Sequence, residues 1–413
     1  MSTYFKEMEQ YVRADPPQEK VRLPVQQALL YAQMECLNRH LPFTEYPNPL
    51  PKEFSPLTLP KEYLNIRSKI ISIILGQAVG DAIGLSTEFL SKEQAELFYK
   101  HERINYSHYL IDQHRSRWMN LDWKCADWTD DTDQSLLILD SLVANNGNCI
   151  AEDFATRCLY WFNFGYSEVG DIGALGVGAN FKAILSSKNF NRTPLKNSME
   201  IWEKGGRRAA PNGSVMRTST AAIPYFWDIE KVEETANTFG KVTHYDPRCQ
   251  ASVSIIVNLI GEFLRGECDC QKAIEFARER GRKYIEGNKE FYSDFEKFTN
   301  PKSLEQLDLN NSIGYTYKPV GCAMWGVKEA QKLKNDGKSN KEIFESVLMA
   351  VTYEAGDADT NGAVVGAVLG AYIGNLDMFP KDWIAFDNKK WLIERINRML
   401  KLMNLEEIKD GEI

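Results

Sequence analysis

Histidine is scarce: there are five in 413 residues, and none stands at ligand spacing from another histidine or a cysteine, which argues against a zinc centre. The eight cysteines are scattered, and the closest pair, Cys268 and Cys270, has neither zinc-finger nor redox-motif spacing. Reduced thiols in a cytoplasmic protein are the expectation. Positive charge is not in excess either. A formal net charge of −8 argues against a general nucleic-acid binder, which needs clustered Lys and Arg to neutralise phosphates. Residues Met1 to Glu9 show no basic start followed by an apolar run. The longest apolar stretch, 363–373, falls well short of the ~20 residues of a membrane helix. A soluble chain without a membrane partner is expected. Alternating strand patterns are hard to find, and strong internal repeats and low-complexity tracts are lacking.

What the chain does have is 43% hydrophobic residues, ample for a large core, placed with helical periodicity. Ile66, Ile70, Ile73 and Ile74 fall on one face, as do Leu136, Leu139 and Val143, then Ile255, Leu259 and Phe263, then Ile343, Val347 and Ala350, and Leu392, Ile396, Met399 and Met403. The pattern predicts a predominantly α-helical fold whose polar connections carry the unusual residues. Residues 1–65 read as an extension, with a helix from Pro24 to Asn38 followed by a proline-rich segment that excludes regular helix. A main domain is expected over 66–376, with a solvated insertion at about 280–310 that is dense in Lys, Glu and Phe, and a C-terminal helical segment over 377–413 packed on it.

Two acidic clusters stand out. Asp127-Trp-Thr129-Asp130-Asp131-Thr132-Asp133 places four aspartates in seven residues before a helix, and Gly356-Asp357-Ala-Asp359-Thr360-Asn361 precedes another. Helix capping explains one or two of these side chains, since Asp and Thr accept hydrogen bonds from free N–H groups and the helix dipole favours negative charge there. It does not explain all of them. Adjacent buried carboxylates repel unless a divalent cation lies between them, and hard cations such as Mg²⁺ or Mn²⁺ take such oxygen ligands. Two caps from distant parts of the chain could therefore meet around two metals.

Other segments have structural and functional readings side by side. Gly76, Gly80 and Gly84 at spacing four allow either close helix packing or a backbone that leaves the helix to place Glu88 in a pocket. Gly362, Gly366, Gly370 and Gly374 form a second stripe along which another helix can approach. Pro211-Asn212-Gly213-Ser214 is a plain turn or an anion site made of N–H groups, and His244 in Thr243-His244-Tyr-Asp246-Pro247 is a structural histidine or a ligand contact.

The ordered set is more specific than its members. Gly80-Asp81-Ala-Ile-Gly84 with Glu88, Trp128 to Thr132, Asn212 to Arg217, Thr243-His244-x-Asp246-Pro247 and Gly356 to Asn361 together resemble the ADP-ribosylglycohydrolase family over roughly residues 68–375. The resemblance implies a compact all-α single domain, an orthogonal helical bundle, with a binuclear Mg²⁺ or Mn²⁺ centre. It places Thr129, Asp130 and Asp131 on one metal-binding motif and Asp357, Asp359 and Thr360 on the other. Glu88 and Asp171 fall on its catalytic acidic positions, and Asn212, Gly213, Ser214 and His244 on segments that embrace the phosphates and riboses of ADP-ribose. Three positions depart from the pattern: Ala174-Leu-Gly-Val follows Asp171-Ile-Gly where small hydroxyl residues are common, Pro211 replaces a glycine, and Ala355 stands where a second glycine is usual.

The implied reaction is metal-dependent cleavage of the N- or O-glycosidic bond between ADP-ribose and an acceptor, such as an ADP-ribosylated protein, through an oxocarbenium-like transition state. Arginine linkage is favoured over serine linkage only because it is widespread in the family. The rival readings are two-metal phosphoester or pyrophosphate hydrolysis, and a catalytically silent ADP-ribose-binding or structural protein of the same fold.

Overall fold

The computed structural model describes residues 26–28, 51, 53–63, 65–106, 126–171, 173–174 and 176–413. Most of the helix expected over Pro24–Asn38, and Cys36 and Cys125, lie outside them; residues 26–28 are helical. Among the described residues no strand forms. The chain runs through α1 (Arg67–Gly84), α2 (Lys92–Tyr99), α3 (Asp130–Ala144), α4 (Ala151–Phe164), α5 (Ala179–Leu185), α6 (Pro194–Lys204) and α7 (Ile229–Lys241). It continues through α8 (Pro247–Arg265), α9 (Cys270–Arg282), α10 (Tyr292–Thr299), α11 (Tyr317–Asn335), α12 (Asn340–Tyr353), α13 (Ala358–Ile373) and α14 (Lys389–Leu402). A 3₁₀ helix, Asn212–Ala222, separates α6 from α7.

Helix α1 has no polar face, and from Ile70 to Gly84 every residue is buried. A helix apolar all round belongs at the centre of a core. It is this helix, and not 363–373, that is long and apolar enough to cross a membrane by composition, yet its whole apolar window is buried inside the protein. Its main neighbour is α13, equally buried, and the two glycine stripes meet. A Cβ on Gly80 would lie 1.9 Å from the carbonyl oxygen of Gly362, and one on Gly366 would lie 1.9 Å from that of Gly76. Gly84 faces Ala358 in the same way. The helices therefore run antiparallel in backbone contact, which brings the C-terminus of α1 beside the N-terminus of α13. The fourth glycine of the second stripe, Gly374, does not join it; it ends α13 at φ +63°.

Gly80→Ala should accordingly separate the two helices rather than fill a space. We expect a loss of roughly 3 kcal/mol or more in urea unfolding, since neither backbone can yield locally; a loss below about 1 kcal/mol would contradict the contact.

The 280–310 segment is not the solvated insertion its composition predicts. Ile285, Phe295, Phe298, Leu304, Leu307 and Leu309 are buried in it, and α10 packs on α11. Phe295 and Phe298 are among its anchors, with Lys and Glu on the outer side. At the C-terminus α14 packs on α3 and α1, and its buried Arg395 pairs with Glu168 at 2.8 Å.

Candidate functional site

The site is assembled where three element ends meet. Thr129 is the N-cap of α3, and its Oγ1 accepts from the Asp131 amide at 3.4 Å and donates to Asp131 Oδ2 at 2.9 Å. Asp357 is the N-cap residue of α13, where the Thr360 amide donates to Asp359 Oδ1 at 2.9 Å. Glu88 follows the short 3₁₀ turn that ends α1. The next residue, Phe89, donates its amide to Gly356 O at 2.7 Å, and the Gly356 amide donates to Leu90 O at 3.1 Å, so the Glu88 segment is stitched to the loop before Asp357. That loop turns through Ala355 at φ +59° and Gly356 at φ +71°. Both lie in the left-handed region that favours glycine, which accounts for the oddity of an alanine at 355.

Of the predicted acids, Glu88, Asp131, Asp357 and Asp359 converge, joined by Asp81, while Asp130 belongs to neither group. Carboxylate oxygens of Asp81, Asp131 and Asp359 lie within 4.8 Å of one another, and so do those of Glu88, Asp357 and Asp359. Asp359 belongs to both groups and joins them. Thr360 lies beside Asp131 and Asp357. Thr129, Asp130, Asp131, Asp359 and Thr360 are buried, while Glu88 and Asp357 are partly open to solvent.

Electrostatics of the cluster is unfavourable as it stands. Burial, followed by repulsion from neighbouring carboxylates, pushes Asp130 up to about 8 and both Asp131 and Asp359 well above the ordinary range. Asp357 is also raised by burial, against the hydrogen bond from Asn212 Nδ2 at 2.6 Å. Asp131 Oδ1 is buried and has no hydrogen-bond partner. Burying a bare carboxylate oxygen among like charges is costly, and a divalent cation removes that cost. The donor set is all oxygen, which fits Mg²⁺ or Mn²⁺ and not a soft metal.

Not every aspartate of the first cluster faces the site. Asp133 accepts from the indoles of Trp128 at 2.8 Å and Trp161 at 3.2 Å, so it is a core anchor. Asp171 lies outside the two converging groups; its Oδ2 accepts from the Tyr166 amide at 3.3 Å, within its own loop after α4. Downstream in that loop Gly176 comes so close to Asp130 that a Cβ would lie 2.4 Å from Oδ1. Asn212 links the Pro-Asn-Gly-Ser turn to Asp357, Ser214 is fully buried, and His244 lies against Gly213.

Sequence reasoning missed Asp81 as a site residue. Its Oδ1 accepts from the Thr129 amide at 2.9 Å, and its Oδ2 accepts from the Thr132 amide at 3.0 Å and the Thr132 hydroxyl at 2.6 Å. With both oxygens engaged, Asp81 orients the α3 start rather than offering a ligand, although burial raises it to about 6. The available signal was a lone charge inside an apolar, glycine-spaced helix, which needs partners to be tolerated. Asp81→Asn puts an NH₂ against an N–H donor, and we expect divalent-cation affinity to fall ~10–100-fold, the usual effect of disturbing a group that orients metal ligands; unchanged Mn²⁺ affinity by titration calorimetry would refute this role.

A family model described as ADP-ribosylglycohydrolase matches residues 62–408. The ADP-ribosyl-(dinitrogen reductase) glycohydrolase of Rhodospirillum rubrum is 22% identical over 322 residues, covering 78% of this chain and 90% of that protein. The ADP-ribosylarginine hydrolase of Pseudomonas putida (strain GB-1) is 24% identical over 324 residues, covering 75% and 72%. A solved chain from an ADP-ribosylglycohydrolase-related protein complex shares the fold, with a TM-score of 0.54 and 20% identity over 82% of this chain and 99% of that one.

Proposed function

Because the chain belongs to the ADP-ribosylglycohydrolase family, we propose that it hydrolyses the glycosidic bond joining ADP-ribose to an acceptor, with two divalent cations, Mg²⁺ or Mn²⁺, held between the starts of α3 and α13. The observation that carries the reading is the sharing of Asp359 between two converging sets of carboxylate oxygens, one of which includes Asp131, whose buried Oδ1 has no hydrogen-bond partner. The ligands would be Thr129, Asp130, Asp131, Asp357, Asp359 and Thr360. When bound, the cations would supply Lewis-acid polarisation and orientation of oxygen atoms at the scissile carbon.

The chain's own residues do the rest. Glu88 converges with Asp357 and Asp359 at the more open side of the cluster, where its carboxylate takes the proton of the attacking water. Asp171, which accepts from the Tyr166 amide in the loop that reaches Asp130, is the further acidic group at the ribose. Asn212, Gly213, Ser214 and His244 line the wall that receives the phosphates and riboses. Arginine is the favoured acceptor linkage, supported by relatives named ADP-ribosylarginine hydrolase.

The test is release of free ADP-ribose from arginine-modified and serine-modified proteins, with Mg²⁺ or Mn²⁺ and with EDTA. Cation-dependent release from the arginine-modified protein is expected. AMP as the product would replace this reading with pyrophosphate hydrolysis, and binding of ADP-ribose with no release from either protein would leave a binding protein of the same fold.

A further inference from the structure

His244 is 4% exposed, and its Nδ1 is in hydrogen-bond contact with Thr243 Oγ1 at 2.7 Å. The same Oγ1 accepts from Nη2 of Arg217 at 2.7 Å. Arg217 is fully buried, with further bonds to Phe239 O at 3.0 Å and Gln134 Oε1 at 2.7 Å, and its guanidinium lies over the rings of Phe154 and Phe181. A guanidinium has donors only, so every atom it touches must accept.

That constraint propagates in two directions. Toward α3 it fixes the Gln134 amide: Oε1 faces Arg217, so Nε2 donates to Asp130 Oδ2 at 2.8 Å. Toward His244 it occupies Thr243 Oγ1 as an acceptor and leaves the hydroxyl hydrogen to be placed. Among the described residues the acceptor facing that buried hydroxyl is His244 Nδ1, and a buried O–H without an acceptor is strongly disfavoured. Nδ1 is therefore bare. Burial, with the Arg217 charge added, holds the imidazole well below its ordinary range, so the ring is neutral and its proton sits on Nε2. A Cβ on Gly213 would lie 2.9 Å from both Cε1 and Nε2, which places the protonated edge at the Asn212–Ser214 turn.

We propose that Arg217 and Thr243 are positioning residues that lock His244 as the Nε2–H tautomer, presenting one fixed hydrogen-bond donor at this turn for a phosphoryl oxygen of the ligand. The ligand rests on the ADP-ribosyl reading; the tautomer does not. A single buried cation thus orients two donors, Gln134 Nε2 toward Asp130 and His244 Nε2 toward the turn.

The experiment is a long-range ¹H–¹⁵N correlation on the full chain labelled at its histidine rings, with the His244 signals identified by their loss in His244→Gln. The wild type should show a bare Nδ1 and a protonated Nε2. Thr243→Val should give a mixture of tautomers and weaken ADP-ribose binding about tenfold by calorimetry, the effect of one misdirected hydrogen bond, while Thr243→Ser restores both. A protonated Nδ1 in the wild type, or an unchanged ring spectrum in Thr243→Val, overturns the proposal. If the wild-type ring is as expected but ADP-ribose does not bind, the ADP-ribosyl reading fails and the tautomer assignment stands.

Discussion

Asp359→Ala is expected to lower cation-dependent ADP-ribose release by on the order of 10³-fold or more, and at the same time to make the metal-free protein more stable. The first effect follows from the position of Asp359 in both converging oxygen groups: without it the two groups lose the carboxylate they share. The second follows from the same geometry read as energy. Asp359 is buried beside Glu88, Asp131, Asp357 and Asp81, and burial with that repulsion raises it well above the ordinary range. Removing it relieves its neighbours, a gain of ~1–3 kcal/mol by analogy with other buried charges replaced by apolar groups. The wild type, in contrast, should gain stability on adding Mn²⁺ or Mg²⁺ as RT ln(1 + [L]/Kd), and the variant should not. Thermal melts with and without cation separate the two effects. A variant that still melts higher with Mn²⁺, or that melts lower than the wild type in EDTA, would remove Asp359 from its central place.

That trade between stability and function also explains what could be read from residue types alone. Asp130, Asp131, Asp357 and Asp359 were visible because carboxylates clustered at helix starts exceed what capping needs, Glu88 because the glycine-spaced helix Gly76–Gly84 leads into it, and the glycine stripes because spacing four marks one helix face. The all-α fold followed from periodicity. What periodicity could not supply was the pairing of the two stripes with each other, which needs the antiparallel register of Gly80 with Gly362. That Asp133 anchors the core could not be read locally, because its partners Trp128 and Trp161 come from two elements. Asp81 and Arg217 escaped because each acts through the backbone amides or hydroxyls of other residues, a relation no local spacing encodes. The 280–310 segment misled for a related reason: composition averages over Lys, Glu and Phe, while burial selects the Phe.

In EDTA the melting temperature should fall as pH rises from about 5 to about 8, the reverse of the common behaviour of acidic groups. The sign comes from the direction of the shifts. Asp81 is raised to about 6 and Asp130 to about 8, while Asp131 and Asp359 are raised well above the ordinary range, in each case with burial as the largest cause. In the unfolded chain these groups ionise near ~4. Between that value and their folded values the native protein holds protons that the unfolded chain has released, so stability falls with pH across this window. Below the unfolded value both states are protonated and the penalty is absent. The expected decline totals roughly a few kcal/mol, since the groups share one cluster and do not add. A bound divalent cation takes the place of those protons, so with saturating Mg²⁺ the decline should flatten. Cation binding should also release protons between about pH 5 and 8, measurable by calorimetry in buffers of different ionisation enthalpy. Asp130→Asn, which keeps the shape but not the titration, should lessen the slope in EDTA. A melting temperature that rises with pH in EDTA, or cation binding that releases no protons at about pH 6, would mean that these carboxylates are already ionised in the metal-free fold and that some other charge offsets them.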